Sequence, residues 1–191
     1  AIKYDLSVTV FQLSWLKEMR LYKVGKNPLK IHLKIDTGLG RIGISKEEEL
    51  EAMLPMLSKE DIVIEGVYTH FSTANREDSS YFDKQFKAFL NITHWIKSKG
   101  LNVSIFHCAN SAAALKYQNS FLDMVRIGVA MFGIYPSEEI RKTAPVILEP
   151  ALSLHSKILH IKKVKKGSFI GYDTAYEAKS DEWIATIPIG Y

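Results

Sequence analysis

The chain is 191 residues long, 47% hydrophobic and 24% charged, which suits one ordinary soluble domain with a packed core. Its formal charge of +4 is spread along the sequence instead of massed in an arm or stripe, so no nucleic acid is expected as a partner. The single cysteine, Cys108, rules out an internal disulfide framework and points to a reducing cytoplasm, and no apolar run approaches the roughly 20 residues that span a bilayer, so no membrane is expected.

The opening residues, Ala1-Ile2-Lys3-Tyr4-Asp5-Leu6, read as mid-domain sequence with no initiating Met, and both ends are expected to be cut. From there the pattern is a short apolar run, a loop and a helical stretch, repeated. Strands are predicted over residues 7–10, 30–36, 62–70, 103–108 and 124–130. They are rich in Val and Ile and too apolar for one exposed face, as parallel strands buried on both sides are. Between the second and third strands, Ser45-Lys46-Glu47-Glu48 has the form of a capping box, with Ser45 capping and Glu48 reaching back. The stretch 79–99 puts Phe82, Phe86, Phe89, Ile92 and Ile96 on one stripe and stops at Gly100, a helix terminator. That stripe reads as core packing, not as a cofactor box.

This alternation argues for βα units on a parallel sheet; periodicity alone does not separate an open sheet from a barrel, and five units fall short of the eight that close one. After Pro145 the pattern changes. Residues 151–164 and 168–172 alternate as antiparallel strands do, with turn signals at Lys166-Gly167 and Lys179-Ser180-Asp181; the basic stretch Lys162-Lys163-Val164-Lys165-Lys166 is the solvated end of one of them. A domain boundary is expected within 138–150, dividing a first domain, 1–140, from the start of a second, 141–191.

Five features could carry chemistry, and they fall at the C-terminal ends of the predicted strands, where open and closed parallel sheets place it. In Lys34-Ile35-Asp36-Thr37-Gly38-Leu39-Gly40-Arg41 a strand runs into a Gly-rich turn that delivers Arg41, whose guanidinium can clamp a carboxylate; a surface loop with an Arg–Asp ion pair reads equally well. His70 ends an apolar strand, where a histidine is either a rim residue or a functional one. In His107-Cys108-Ala109-Asn110-Ser111-Ala112-Ala113 a strand end meets an Asn/Ser cap, a helix start that is either ordinary or suited to phosphate. Arg126, within Val125-Arg126-Ile127-Gly128-Val129, lies in so apolar a run that it must meet a partner, in a salt bridge or in a functional site, and Gly128 permits close backbone approach. Tyr172 and Tyr191, in Gly171-Tyr172-Asp173 and Ile187-Pro188-Ile189-Gly190-Tyr191, are packing residues or site residues. No zinc-ligand spacing or Walker loop occurs, and no metal is expected.

Taken in order, these segments resemble one family. Leu33-Lys34-Ile35-Asp36-Thr37-Gly38-Leu39-Gly40-Arg41-Ile42-Gly43 resembles the diagnostic segment of the alanine racemases. Thr69-His70-Phe71, Ala109-Asn110-Ser111-Ala112-Ala113, Val125-Arg126-Ile127-Gly128-Val129, Gly171-Tyr172 and Ile187-Pro188-Ile189-Gly190-Tyr191 follow in the family's order, across essentially the whole chain. The resemblance implies an α/β fold: part of a TIM (β/α)8 barrel, about strands 4–8, then the start of a mostly β C-terminal domain. It also implies pyridoxal 5'-phosphate (PLP) as cofactor, alanine as substrate and a homodimer.

The same resemblance assigns roles. Ser111, with the backbone N–H groups of Gly128 and Val129, would hold the cofactor phosphate, and Asn110 would be a further cofactor-binding residue. Arg126 would face the pyridine nitrogen and keep it unprotonated, a weaker electron sink that favours removal and return of the α-proton over other reactions. Arg41 would sit by the cofactor's phenolic oxygen and the substrate carboxylate, and Lys34 matches a lysine that is carbamylated in many members. Tyr172 would be one of two catalytic bases, reaching into the partner subunit's pocket, with His70 linking it to Arg126; Tyr191 would line the substrate entrance. The second base, the Schiff-base lysine, belongs to a segment of Lys-Ala-Asn-Ala-Tyr-Gly-His type that these residues do not contain. The 191 residues alone are therefore expected to be inactive. Asp173 stands where a glycine commonly follows the tyrosine. A PLP carrier with the same barrel, a related serine racemase and a non-catalytic homologue are the rival readings; the sequence after Pro150 argues against the carrier.

Overall fold

The computed structural model describes residues 1–22 and 27–190. Its contacts divide the chain into two compact units, Ala1–Ala151 and Leu152–Tyr191.

In the first unit, β1 (Val8–Val10), β2 (Leu29–Lys34), β3 (Ile62–Tyr68) and β4 (Ile105–His107) form one parallel sheet in chain order. Helices α1 (Leu13–Met19), α2 (Glu47–Leu57) and α3 (Ser80–Ser98) make the three crossovers, as successive βα units require. Alternate residues of β2, Leu29, Ile31 and Leu33, are buried in a core shared with Leu50 and Met53 of α2 and with Phe82, Phe89 and Ile96 of α3. Those three α3 residues recur at a spacing of seven, and the stripe's other members, Phe86 and Ile92, are partly buried beside them. The helix stops where Gly100 takes φ +72°.

The intervening positions of β2, His32 and Lys34, stand on the other face of that strand. Gly66 of β3 makes room there: a Cβ at this glycine would collide with the His32 ring, and the β2–β3 register shifts at Ile31/His32. One face of the strand is thus packed with aliphatic side chains while the other carries polar, hydrogen-bonded groups.

Two sequence expectations for this unit are corrected. The α2 cap lies one residue later than predicted: the Glu49 carboxylate, not that of Glu48, accepts from the backbone N–H of Ser45 (3.0 Å) and Lys46 (3.3 Å). The stretch 124–130 is not a strand. Met124 makes one bridge to His107, after which the Arg126 N–H donates to Ala109 O and the Gly128 N–H donates to Ser111 Oγ, so the backbone leaves the ladder. A 3-10 turn over Val129–Phe132 follows. The short helices α4 (Ser111–Lys116) and α5 (Glu138–Thr143) complete this unit, Ile140 of α5 being fully buried.

In the second unit β5 (His160–Val164) pairs antiparallel with β8 (Glu182–Thr186), and β6 (Phe169–Ile170) with β7 (Tyr176–Glu177). The turn at Lys166-Gly167 occurs as expected, and Lys165 pairs with Asp181 at 2.6 Å. Residues 151–159, expected as strand, form none, and their apolar side chains, Leu152 and Leu154 among them, are exposed.

Candidate functional site

Beyond the C-terminal ends of β3 and β4, the segment from Met124 to Gly128 brings Arg126 back over the sheet. Its Nη1 donates to His107 Nδ1 at 2.9 Å; its Nη2 donates to Thr69 O at 2.8 Å, to His70 Nδ1 at 3.1 Å and to Cys108 O at 3.4 Å. The guanidinium also lies 5.1 Å from the Tyr68 ring centroid, a cation–π distance. Among the described residues no carboxylate pairs with it, so the salt-bridge reading of Arg126 gives way to a cation held by neutral acceptors.

Those bonds set the tautomers. Arginine only donates, so His70 and His107 accept at Nδ1 and, when neutral, carry hydrogen on Nε2. His107 Nε2 then donates to His32 Nδ1 at 2.9 Å, and His32 Nε2 donates to Glu65 Oε2 at 3.0 Å, which also accepts from Ser7 Oγ. Tyr68 stacks on His107 with ring centroids 4.8 Å apart. The result is a directed chain, guanidinium to imidazole to imidazole to carboxylate, along one face of the sheet.

Burial, then the Arg126 charge, lowers the pKa of His70 to about 4 and of His107 to about 3, so both rings are neutral at physiological pH. A pH effect on folding follows. Below about 6.5 the unfolded chain takes up protons at both imidazoles that the folded chain does not bind. The contribution of these two groups to stability is therefore fully present above that pH and is lost as the pH falls toward 4. His107→Gln should flatten the decline in Tm measured between about pH 7 and pH 4; an unchanged slope would contradict the assignment.

Next to Arg126, α4 begins. Asn110 caps it, its Oδ1 accepting from the Ala113 N–H at 3.0 Å, while its Nδ2 donates to Phe71 O at 3.2 Å. Ser111 Oγ, nearly buried, accepts from the Gly128 N–H at 2.8 Å. A cavity of about 320 Å³ opens here, lined by His70, Asn110, Ser111, Arg126, Gly128 and Val129 among others, none of them acidic. A neutral or cationic lining, with a hydroxyl and backbone N–H groups at a helix start, fits an anionic group attached to a ring that needs a donor.

Arg41 stands apart. It is exposed at the tip of the β2–α2 loop and lines a second cavity, about 670 Å³, with Phe11, Gln12, Gly43 and Glu48, and it is not among the residues lining the Arg126 cavity. Asp36 does not pair with it; instead that carboxylate accepts from the N–H groups of Gly38, Leu39 and Gly40 at 2.9–3.1 Å. The Arg41 charge is still close enough to contribute to the lowered pKa values of His70 and Lys34. Lys34 is 2% exposed, donates from Nζ to Ile35 O at 2.7 Å, and has its pKa lowered to about 8, by burial above all. Tyr172, in the second unit, is 86% exposed and opens a 3-10 turn in which Asp173 takes φ +53°. An aspartate tolerates that left-handed region, which glycine enters without strain. Tyr191 lies outside the described residues.

The profile described as "Alanine racemase, N-terminal domain" matches residues 1–136, and that described as "Alanine racemase, C-terminal domain" matches 151–191. The chain belongs to the alanine racemase family. It is 41% identical to the alanine racemase of Anoxybacillus flavithermus over the whole of this chain and 49% of that protein. The crystal structure of the Bacillus anthracis alanine racemase with bound L-Ala-P superposes with a TM-score of 0.85 at 47% identity, covering 99% of this chain and 49% of that one. A histidine racemase from Leuconostoc mesenteroides superposes at 0.76 with 32% identity, over 98% and 50% of the two chains. The chain thus spans about half the length of the relatives it matches.

The alanine racemase fold is therefore the frame for these elements: β1–β4 and their helices are an arc of the (β/α)8 barrel, and the antiparallel strands begin the β C-terminal domain. Within that arc, sequence reasoning overlooked His32, Glu65, Tyr68 and His107 as members of the Arg126 network. A signal was present. In β2, Lys30, His32 and Lys34 alternate with Leu29, Ile31 and Leu33, and polar side chains on one face of a buried strand have to meet polar partners from its neighbours or water.

Proposed function

We propose that the intact protein carrying this chain interconverts L- and D-alanine with PLP, taking and returning the α-proton through two bases on opposite faces of the substrate. The observation that carries the reading is Arg126, a cation whose partners are all neutral, beside a cavity lined by donors and free of acids. When bound, the cofactor supplies an electron-withdrawing ring that acidifies the α-C–H of an amino acid. Ser111 and the N–H groups of Gly128 and Val129 would hold its phosphate, with Asn110 shaping the site as the α4 cap. Arg126 would donate to the ring nitrogen without giving up a proton, because a guanidinium stays charged in proteins. His70, neutral and hydrogen-bonded to Arg126 through Nδ1, has Nε2–H to orient the Tyr172 phenol of a second subunit, the catalytic base for one face.

Arg41 would hold the substrate carboxylate, with Tyr191 at the entrance. Lys34, with its pKa lowered to about 8, has the partly neutral amine that reaction with carbon dioxide requires, in keeping with carbamylation. The second base is a lysine for which none of these 191 residues has the sequence context, so this stretch by itself is proposed to be inactive. A homodimer in the cytoplasm, supplying D-alanine for peptidoglycan precursors, completes the reading; among the described residues no helix is long and apolar enough to cross a membrane. The similarity to a histidine racemase supports a second reading, the same chemistry on a larger amino acid. The C-terminal domain match argues against a PLP carrier.

Exchange of the α-hydrogen in D2O, followed by proton NMR on the intact holoprotein, tests this. Deuterium should enter both L- and D-alanine, and faster than serine or histidine. Exchange confined to histidine or serine would move the assignment to that substrate, and exchange from no amino acid would overturn the enzyme.

A further inference from the structure

The loop that carries Arg41 is closed at its base and tethered at one side. At the base, the Asp36 N–H donates to Ile44 O and the Ile44 N–H to Lys34 O, both at 2.9 Å, while the Asp36 carboxylate gathers the N–H groups of Gly38, Leu39 and Gly40. The lateral tether comes from α3. Tyr81 donates its hydroxyl to Gly38 O at 2.9 Å, and Gly38 sits at φ +128° with the phenol so close that a Cβ there would lie 2.5 Å from Tyr81 Oη. One turn further along α3, Gln85 is fully buried, its Oε1 accepting from both the N–H and the Oγ of Ser72 at 3.0 Å. Because the Ser72 N–H is an obligate donor, the amide orientation is fixed. Its Nε2 has no hydrogen-bond partner and lies 3.6 Å from the Cβ position of Gly38.

The helix α3 therefore touches the Arg41 loop through Tyr81 and the His70–Ser72 segment through Gln85, at positions four apart on one face. Neither side chain lines the Arg126 cavity. We propose that Tyr81 is a positioning residue: its hydroxyl fixes the 36–43 loop so that the exposed Arg41 guanidinium is held ready for the substrate carboxylate, with Gln85 securing the neighbouring His70 segment to the same helix. The inference rests on the reading of Arg41 as the carboxylate-binding residue.

Tyr81→Phe removes the hydroxyl and keeps the ring. In the intact holoprotein, amide hydrogen exchange across residues 38–42 should speed up at least threefold while that of α3 stays unchanged; an unchanged loop would overturn the tether. In kinetics with alanine, KM should rise about three- to tenfold, the worth of one hydrogen bond, with kcat within twofold. A loss of kcat at constant KM is what a merely structural role gives, and it would overturn the positioning role. In an Arg41→Lys background the same substitution should add little to KM, because its effect passes through the guanidinium; full additivity would also overturn it. A wild-type protein that racemises no amino acid would instead fail the functional reading, and the exchange measurement would still decide the tether.

Discussion

Replacing Arg126 by lysine should lower kcat for alanine by about 10²- to 10³-fold, the scale of losing one preorganised donor at a site of developing charge. The guanidinium serves His107 Nδ1, His70 Nδ1 and Thr69 O from two nitrogens in one plane. A single ammonium cannot reach three acceptors so arranged, and each buried acceptor left without a donor costs about 1–3 kcal/mol. Folding stability should therefore fall together with activity, visible as a lower denaturation midpoint. Lysine can also give a proton to a ring nitrogen, which arginine does not. The variant should consequently release pyruvate in an amount stoichiometric with the cofactor, the amino group of alanine passing to PLP to leave pyridoxamine phosphate. A kcat within threefold of wild type would remove Arg126 from the mechanism.

Tyr172→Phe should have an effect of similar size but one-sided. A base positioned on one face of the substrate serves one enantiomer as proton acceptor and the other as proton donor. Loss of general-base catalysis is worth about 10²- to 10⁴-fold. α-Deuterium exchange should collapse by that order from one enantiomer of alanine and persist from the other. The experiment needs the intact protein in its proposed dimeric form, since the phenol is proposed to act in the partner's pocket. Equal, modest losses from both enantiomers would assign Tyr172 to packing.

The parallel βα arrangement was legible in the sequence because buried strands write themselves as runs of Val and Ile and because the α3 stripe of Phe82, Phe89 and Ile96 keeps helical period over about four turns. What escaped was decided by individual hydrogen bonds. Residues 124–130 have the composition of a strand, yet the N–H groups of Arg126 and Gly128 are taken by Ala109 O and Ser111 Oγ, and no apolar count registers that. The capping box slipped by one residue because either of two adjacent glutamates can reach back, and only the backbone entering α2 selects Glu49. His70, Asn110, Ser111, Arg126, Gly128 and Val129, six of the nine residues lining the Arg126 cavity, were singled out through the order of short motifs, not through any one of them; Asn75 and Pro136 were not. The polar relay behind them was not foreseen, because His32 and Glu65 were read as strand residues one at a time, while their partners come from neighbouring strands. Arg41 shows the opposite case. Its motif is specific, while its side chain lies at the mouth of a different cavity, so its role depends on how the 36–43 loop is held.

The most direct measurement is the nitrogen-15 resonance of ring-labelled PLP bound to the intact protein. A guanidinium donor that never releases its proton, in a cavity with no acid to protonate the ring, predicts the signal of an unprotonated, hydrogen-bonded pyridine from neutral to mildly alkaline pH. A pyridinium signal over that range would place an acid at the nitrogen and contradict the account.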